Sequence, residues 1–207
     1  NIRSLVKGSF KMCGRFVTGS SISVIKKLFN VKEVLSDVSP SYNIAPSQNV
    51  AVVVKDGVNK LITCRWGFIP SWSKDESVGY KLINARAETV AIKPMFKGAF
   101  EKHRCLVVAD GFYEWRKKDN VKSPVYIQFK SGEPFGLAGL YNVWTSPEGK
   151  HICTCTIITT DANELIKPIH NRMPVIIPRD KQEIWLDPDS KGKAALLSLL
   201  KPYPSEE

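Results

Sequence analysis

The sequence lacks the features that would place it in a membrane or outside the cell. It has no apolar run close to the roughly 20 residues that a membrane-spanning helix needs. Its opening stretch, NIRSLVKGSF, carries two cationic residues but no apolar block of the kind found in secretory signal peptides. Internal repeats and low-complexity segments are absent as well. We therefore expect a cytoplasmic protein without a membrane partner.

Metal-ligand spacings are also missing. The chain has five cysteines and three histidines, and no CxxC pair occurs among them. Zinc sites use cysteine and histidine ligands at short, regular spacings, so neither a metal nor a cofactor is predicted. Five scattered cysteines in 207 residues do not make a disulfide framework. We expect Cys64, Cys105, Cys153 and Cys155 to be buried as small apolar side chains.

Acidic residues are too few to balance the basic ones. The chain has 30 Lys and Arg against 20 Asp and Glu, a formal net charge of +10, and no run of five basic residues. A dispersed basic surface attracts phosphate backbones or anionic membranes, although charge alone also fits a simple role in solubility. A hydrophobic content of 43% is sufficient for one packed domain.

Long helical patterns are scarce, and most apolar segments alternate or are β-branched, as strands are. Strands are predicted at 50–54, 61–68, 104–109, 112–117, 124–129, 136–144, 151–160 and 173–177. The other predicted segments are a helix at 20–30, a proline-punctuated loop at 39–48, an irregular segment at 69–89 that ends in a short helix, a short helix at 161–166 and two closing helices. This pattern predicts an α+β fold, with one β-rich domain, a barrel-like curled sheet and short flanking helices.

The start of the chain decides the chemistry of one cysteine. We expect residues 1–12 to be a leader, a vector remnant or an overlong start outside the fold, and residues 13–207 to form the domain. If translation starts at Met12, removal of this methionine leaves Cys13 with a free amine and a thiol on adjacent carbons. If the preceding residues stay attached, Cys13 has an amide nitrogen and loses this pair of nucleophiles.

An N-terminal cysteine can capture an aldehyde. Its amine has a pKa of about 7.7–8.0 and its thiol a pKa of about 8.5, so both are partly nucleophilic near neutral pH. An aldehyde would form an imine with the amine, and addition of the thiol would then close a five-membered thiazolidine. The alternative is that Cys13 is a poorly ordered terminal residue without function.

Two residues are candidates for the proton transfers that imine formation needs. Glu114 lies between two aromatic residues in DGFYEW, an environment that could raise the pKa of a carboxyl group. His170, in HNRMP, titrates near neutrality and could move a proton or hold a sugar hydroxyl. The alternatives are a strand glutamate that faces solvent and a loop histidine that is merely hydrogen-bonded.

Several other polar and aromatic residues suit a phosphorylated sugar. Arg15 and Arg86 have the planar fork that binds phosphate through two hydrogen bonds. Asn84 both donates and accepts hydrogen bonds, which suits a sugar or aldehyde oxygen. Trp72, in the irregular segment, would stack on an unpaired base if it were exposed. Alternatively, the aromatic residues belong to the core, and Arg86 forms a salt bridge to Glu88 or another carboxylate.

Eight motifs, in one order, together resemble the SRAP family, named after the SOS response-associated peptidase. They are MCGRF, YNIAPSQ, RWGFIPSW, NARAET, RCLVVADGFYEW, AGLY, TIITTDAN and HNRMPVI. The resemblance runs from Met12 to about Leu200 and so covers nearly the whole chain. It implies a β-rich α+β domain with a positively charged DNA channel. It also implies a DNA-damage response protein that recognises abasic sites in single-stranded DNA. We expect the protein to be a monomer, and to be associated with the nucleoid if its source is bacterial.

The resemblance also implies roles for particular residues. Cys13 would join the abasic aldehyde in a thiazolidine crosslink, Asn84 would contact the site, and Glu114 and His170 would assist ring opening and imine chemistry. The residues expected to contact DNA are Arg15, Asn43, Trp72, Arg86 and Arg172. The peptidase name reflects the step that frees the amine of Cys13. This step could be autoproteolytic removal of the segment before it.

Two alternative functions remain open. One is a cysteine peptidase that acts on other proteins, with Cys13 as nucleophile, His170 as base and Glu114 or Asn84 as the orienting group. The other is a module that binds single-stranded DNA without covalent capture, with salt-sensitive affinity that is equal for intact and abasic strands.

Overall fold

The computed structural model describes residues 14–119, 121–190 and 192–206, and the side chains of all of these but Lys118. Cys13, the predicted nucleophile, lies outside the described residues, as do residues 1–12. The strands are β1 (Phe16–Thr18), β2 (Glu33–Val34), β3 (Ser41–Ile44), β4 (Asn49–Asp56), β5 (Val58–Trp66), β6 (Asn84–Arg86), β7 (Arg104–Ala109), β8 (Gly111–Lys118), β9 (Val121–Ile127), β10 (Phe135–Thr145), β11 (His151–Asp161), β12 (Arg172–Pro174) and β13 (Ile176–Ile177).

The helices are short and stand between or after the strands. They are α1 (Ile22–Leu28), α2 (Pro94–Lys102), α3 (Gln182–Leu186) and α4 (Lys193–Ser198), with 3-10 turns at Glu76–Lys81 and Arg179–Lys181. The side chain of Ser21 caps α1 by accepting from the backbone N–H of Val24, as serine does at helix N-termini. Among the described residues, no helix is long and apolar enough to cross a membrane.

Five strands close into a barrel. β4 pairs with β5, β5 with β11, β11 with β10 and β10 with β7, and β7 then pairs back with β4. Of these pairings only β5 with β11 is parallel. Closure removes the unpaired edges that a flat sheet would expose. The predicted β-rich α+β fold with a barrel-like sheet and short helices is confirmed.

A second sheet of four strands, in the order β3–β1–β8–β9, packs against the barrel strands. The alternation along β4 divides the apolar core in two. Val52 belongs to the same cluster as Phe112 of β8, whereas its neighbour Val53 belongs to a cluster that includes residues of all four helices. The four-stranded sheet and the helices therefore cover different faces of the barrel strands, because successive side chains of a strand point to opposite sides.

Three local predictions are wrong. The segment 39–48 is not all loop, since Ser41–Ile44 forms β3 and pairs with β1. The segment 69–89 does not end in a short helix, since Asn84–Arg86 forms β6 and pairs in parallel with β11. In these two segments the partner strand is distant in sequence, so hydrogen bonds to a neighbouring strand decide the local conformation. The segment 161–166 does not form a short helix, since Asp161 ends β11 and residues 164–169 form turns.

The predicted burial is confirmed for Cys64, Cys105 and Cys155, but the sequence did not indicate a disulfide. The register of β5 with β11 brings Cys64 beside Cys153, and a disulfide joins them. Cys105 and Cys155 are free and fully buried in the apolar core, which confirms the prediction for these two. The pairing of Cys64 with Cys153 depends on a parallel contact between strands 89 residues apart in sequence, which cysteine spacing alone does not reveal.

Candidate functional site

Glu114 is a buried carboxylate on a strand of the four-stranded sheet. Its exposed fraction is 2%, so the alternative of a solvent-facing glutamate is wrong. Phe112 and Glu114 alternate with Tyr113 and Trp115, which are only half-buried. The alternation places the carboxylate on the inner face of β8 and the aromatic residues on the outer face.

His170 lies beside Glu114. Its Nδ1 is 3.9 Å from Oε2 of Glu114, a separation too long for a direct hydrogen bond. The same Nδ1 accepts a hydrogen bond of 3.1 Å from the backbone N–H of Arg172. Because Nδ1 is an acceptor there, the neutral ring carries its proton on Nε2. The imidazole remains 31% exposed, so that it can still meet a ligand.

The chain enters this site from the N-terminal side. Phe16 of β1 is level with Phe112 of β8, and the N–H of Tyr113 donates to the carbonyl of Arg15 over 2.9 Å. Continued two residues past Phe16, the same antiparallel register places Gly14 opposite Glu114. Gly14 is the residue that follows Cys13 in the sequence.

Asn84 and Arg86 lie on the parallel strand β6, which pairs with β11 on the side opposite to β12. Asn84 is level with Ile157 of β11, and Arg86 is level with Thr159. Asn84 is half-buried and Arg86 is exposed. The carbonyl of Arg86 accepts from the N–H of Thr89. Its guanidinium forms no hydrogen bond or close ion pair with the residues that the structure describes, so it is accessible to a ligand.

Arg172 is held by carboxylates. Its guanidinium donates to both oxygens of Glu88, to Asp161 over 2.7 Å and to the carbonyl of Thr159 over 2.7 Å. Its side chain is 13% exposed. The hydrogen bond from Arg172 lowers the pKa of the Glu88 carboxyl, with burial acting in the opposite direction. The close ion pair of Glu88 is therefore with Arg172, while Arg86, the partner considered from the sequence, acts on Glu88 only through its charge, which also lowers the pKa of the carboxyl.

Two of the residues expected to contact DNA form one polar pair at the rim of the four-stranded sheet. Nη1 of Arg15 donates to Oδ1 of Asn43 over 2.7 Å. Asn43 is exposed on β3. The neighbouring Tyr42 is also exposed and packs its ring over Gly19. Sequence reasoning missed Tyr42, although it lies inside the YNIAPSQ motif.

Trp72 lies in the segment that follows β5. Its side chain is 66% exposed, so the alternative that it belongs to the core is wrong. The backbone around it is nevertheless anchored, since Asn142 donates to the carbonyl of Ile69 over 2.8 Å and the indole N–H of Trp144 donates to that of Ser73 over 2.7 Å. Trp72 is thus an exposed aromatic side chain on an anchored segment.

The cysteines that the structure describes are poor nucleophiles. Cys64 and Cys153 are joined in the disulfide. Burial raises the pKa of the thiols of Cys105 and Cys155, which keeps both protonated at neutral pH. Among the same described residues, no group of three or more His, Cys, Asp or Glu could hold a metal ion.

The eight motifs and the fold agree with a comparison against known families. The family described as SOS response associated peptidase (SRAP) matches residues 12–207. The chain belongs to the SRAP family. It is 47% identical over 200 residues to the abasic site processing protein YoqW of Bacillus subtilis, an alignment that covers 95% of this chain and 89% of that protein. It is 32% identical over 196 residues to the abasic site processing protein HMCES of Gallus gallus, of which it covers 58%.

A solved crystal structure shares the fold of this chain. A crystal structure of a protein from Bacteroides thetaiotaomicron superimposes with a TM-score of 0.86 at 30% identity, over 94% of this chain and 89% of that one. In this SRAP chain, the four-stranded sheet supplies Glu114, and the loop before β12 supplies His170. The strand β6 supplies Asn84 and Arg86 on the other side of β11.

Proposed function

We propose that this chain processes abasic sites in single-stranded DNA by capturing them covalently through Cys13. The observation that carries the proposal is the buried carboxylate of Glu114 with His170 at 3.9 Å, level with the backbone of Gly14. The names of the relatives, which are abasic site processing proteins, support the same substrate. The domain that performs this function is residues 13–207, and the amine must be freed by loss of Met12 or by cleavage before Cys13.

The chemistry needs two nucleophiles and a proton donor. In the ring-opened form, the abasic deoxyribose presents an aldehyde carbon to the amine of Cys13. Addition gives a carbinolamine, and loss of its hydroxyl as water after protonation gives the imine. The thiol then adds to the imine carbon, the nitrogen takes up the thiol proton, and the ring closes. Glu114 is positioned to give and take these protons in a water-poor setting.

His170 has a complementary role. With Nδ1 occupied by the N–H of Arg172, its neutral ring donates from Nε2. This donor would bind the sugar hydroxyl that ring opening releases. The same geometry disfavours the peptidase alternative, because the base of a catalytic triad donates from Nδ1 to its carboxylate and accepts the nucleophile's proton at Nε2.

The surrounding polar residues fit a DNA strand. Arg86 offers an exposed guanidinium for a phosphate beside the lesion, and Asn84 offers an amide to the sugar. The Arg15–Asn43 pair and the exposed indole of Trp72 extend this surface. Arg172 is expected to contact DNA through the part of its guanidinium that Glu88 and Asp161 leave accessible. The formal charge of +10 suits a polyanion.

The test is intact-mass measurement on protein expressed from Met12. Incubation with a single strand that carries one abasic site should add the mass of the oligonucleotide minus one water. Cys13→Ala should abolish this adduct, whereas the matched control Cys155→Ala should retain it, because the Cys155 thiol is buried. An undamaged strand should give no adduct with either protein. Capture by Cys13→Ala, or no capture by a chain shown to begin at Cys13, would overturn the proposal.

A further inference from the structure

The β8–β9 ribbon extends beyond the acid–base cluster. β8 continues to Lys118, four residues past Glu114, and β9 starts at Val121. Within the described residues, β1 pairs with β8 as far as Phe16, and the last backbone contact is at Arg15. The described residues at the far end of the ribbon, 116–119 and 121–123, follow that last contact along the two strands.

The outer face of this ribbon carries three cross-strand pairs in a row. Tyr113 lies opposite Tyr126, Trp115 lies opposite Pro124, and Lys117 lies opposite Lys122. Directly opposed residues point to the same face of an antiparallel ribbon. The outer face thus changes from aromatic near the barrel to cationic at the tip, while Glu114 is on the inner face.

Tyr126 covers Gly111 on this face. A Cβ atom at Gly111 would come within 2.5 Å of the Tyr126 ring, so the ring lies directly on the glycine backbone. The ring of Tyr113 flanks it with centroids 5.0 Å apart. Tyr126 is nevertheless 40% exposed. Exposed aromatic side chains are the elements on which unpaired bases stack.

The tip of this face carries two exposed lysines. Lys117 and Lys122 lie directly opposite each other, and exposed cations attract a phosphate backbone. Of the acidic residues in this part of the chain, Asp119 is in the turn and Asp110 precedes β8 at the end away from the lysines. Asp110 already accepts from the backbone N–H groups of Gly19 and Ser20.

We propose that the outer face of the β8–β9 ribbon binds the single strand next to the abasic site, with Tyr126 stacking a base and Lys117 and Lys122 binding phosphates further along. Tyr126 and Lys122 are four residues apart on β9, which is about 13 Å at roughly 3.3 Å per residue. That distance corresponds to about two nucleotides of extended strand. This inference rests on the proposed function for its ligand but involves none of the residues that perform the chemistry.

The test uses non-covalent binding of an abasic 20-mer to proteins that carry Cys13→Ala, measured over a range of salt concentrations. The double change Lys117→Gln and Lys122→Gln should reduce the slope of log Kd against log salt by about 1.4, since each phosphate contact on a single strand contributes about 0.7. The matched control changes Lys26 and Lys27, an exposed pair on α1, and should keep the slope.

Tyr126 supplies the second readout. Tyr126→Ala should weaken binding about tenfold, within the 1–3 kcal/mol that one base stack contributes, whereas Tyr126→Phe should not. The inference would be overturned if the ribbon double variant and its control had equal salt slopes and Tyr126→Ala bound the strand as tightly as the parent protein. These readouts do not depend on capture. A chain beginning at Cys13 that binds the strand but forms no adduct contradicts the proposed function only, and a chain that does not bind contradicts both.

Discussion

The backbone N–H of Arg172 donates a hydrogen bond of 3.1 Å to Nδ1 of His170. This contact makes the orientation of the imidazole depend on how firmly Arg172 is held. Glu88 and Asp161 hold the guanidinium, and neither is a hydrogen-bond partner of the imidazole within the part of the chain that the structure describes. The carboxylates therefore act on the site through Arg172, and we regard Glu88 as a positioning residue.

The first prediction concerns Glu88→Gln, which keeps the shape of the side chain and removes its charge. Because the side chain is about half exposed, the unfolding free energy should fall by only about 0.5–1 kcal/mol at pH 7. The folded-state pKa of Glu88 is lowered by Arg172, so this contribution is present above the unfolded pKa and is lost as pH falls through the folded value. The difference between wild type and variant should therefore shrink below about pH 4.

Urea denaturation at pH 7 and at lower pH measures this effect. Glu101→Gln is the control, since Glu101 is exposed on α2 and has no ion pair within the part of the chain that the structure describes. Equal stability of wild type and Glu88→Gln at pH 7 would contradict the prediction. Slower capture by Glu88→Gln at saturating DNA, with an unchanged Kd, would support the positioning role over a purely structural one.

The second prediction concerns Glu114→Gln. An amide cannot give or take the protons of imine formation, so the single-turnover rate of capture should fall by about 10²–10⁴-fold. Non-covalent affinity should change little, because Glu114 is buried and offers almost no surface to the strand. Capture rates at saturating protein, compared with Kd values in the Cys13→Ala background, separate the two effects. Unchanged rates would make Glu114 a structural residue.

The third prediction concerns thiol reactivity. Burial raises the pKa of the Cys105 and Cys155 thiols, so neither should be alkylated by iodoacetamide in the native protein at pH 7.5. Both should react once the protein is unfolded in denaturant. Peptide mass spectrometry before and after reduction should also show Cys64 and Cys153 protected until reduction. Native labelling of Cys105 or Cys155 would contradict the burial that leaves Cys13 as the candidate nucleophile.

The sequence indicates the fold well where strands are marked by their own residues. The apolar runs that form β4, β7, β10 and β11 are alternating or β-branched, and closure follows from the need to cover their edges. By contrast, Ser41–Ile44 and Asn84–Arg86 become strands only because β1 and β11 are beside them. Propensity within a short polar segment does not contain that information.

The candidate site shows the same division. Glu114 and His170 could each be selected from the sequence by residue type and motif, but their approach to 3.9 Å depends on how β8 packs near β12. The hydrogen bonds of Arg172 to Glu88 and Asp161 could not be predicted from the sequence either, because these carboxylates are 84 and 11 residues away from it. The contact of Tyr126 with Gly111 depends on the register of β8 with β9, because a shift by one residue would move the Tyr126 side chain to the other face of the ribbon.

The fourth prediction concerns Arg86, the exposed arginine of β6. Its guanidinium has no close ion-pair partner among the described residues. Arg179, in the 3-10 turn at Arg179–Lys181, is paired with Glu133 over 2.8 Å. Arg86→Gln should therefore lower the slope of log Kd against log salt by about 0.7, the contribution of one phosphate contact on a single strand. Arg179→Gln removes the same charge and should leave the slope unchanged. Both variants lower the net charge equally. An equal reduction of the salt slope in the two variants would therefore mean that the total charge, and not a contact at Arg86, determines DNA affinity.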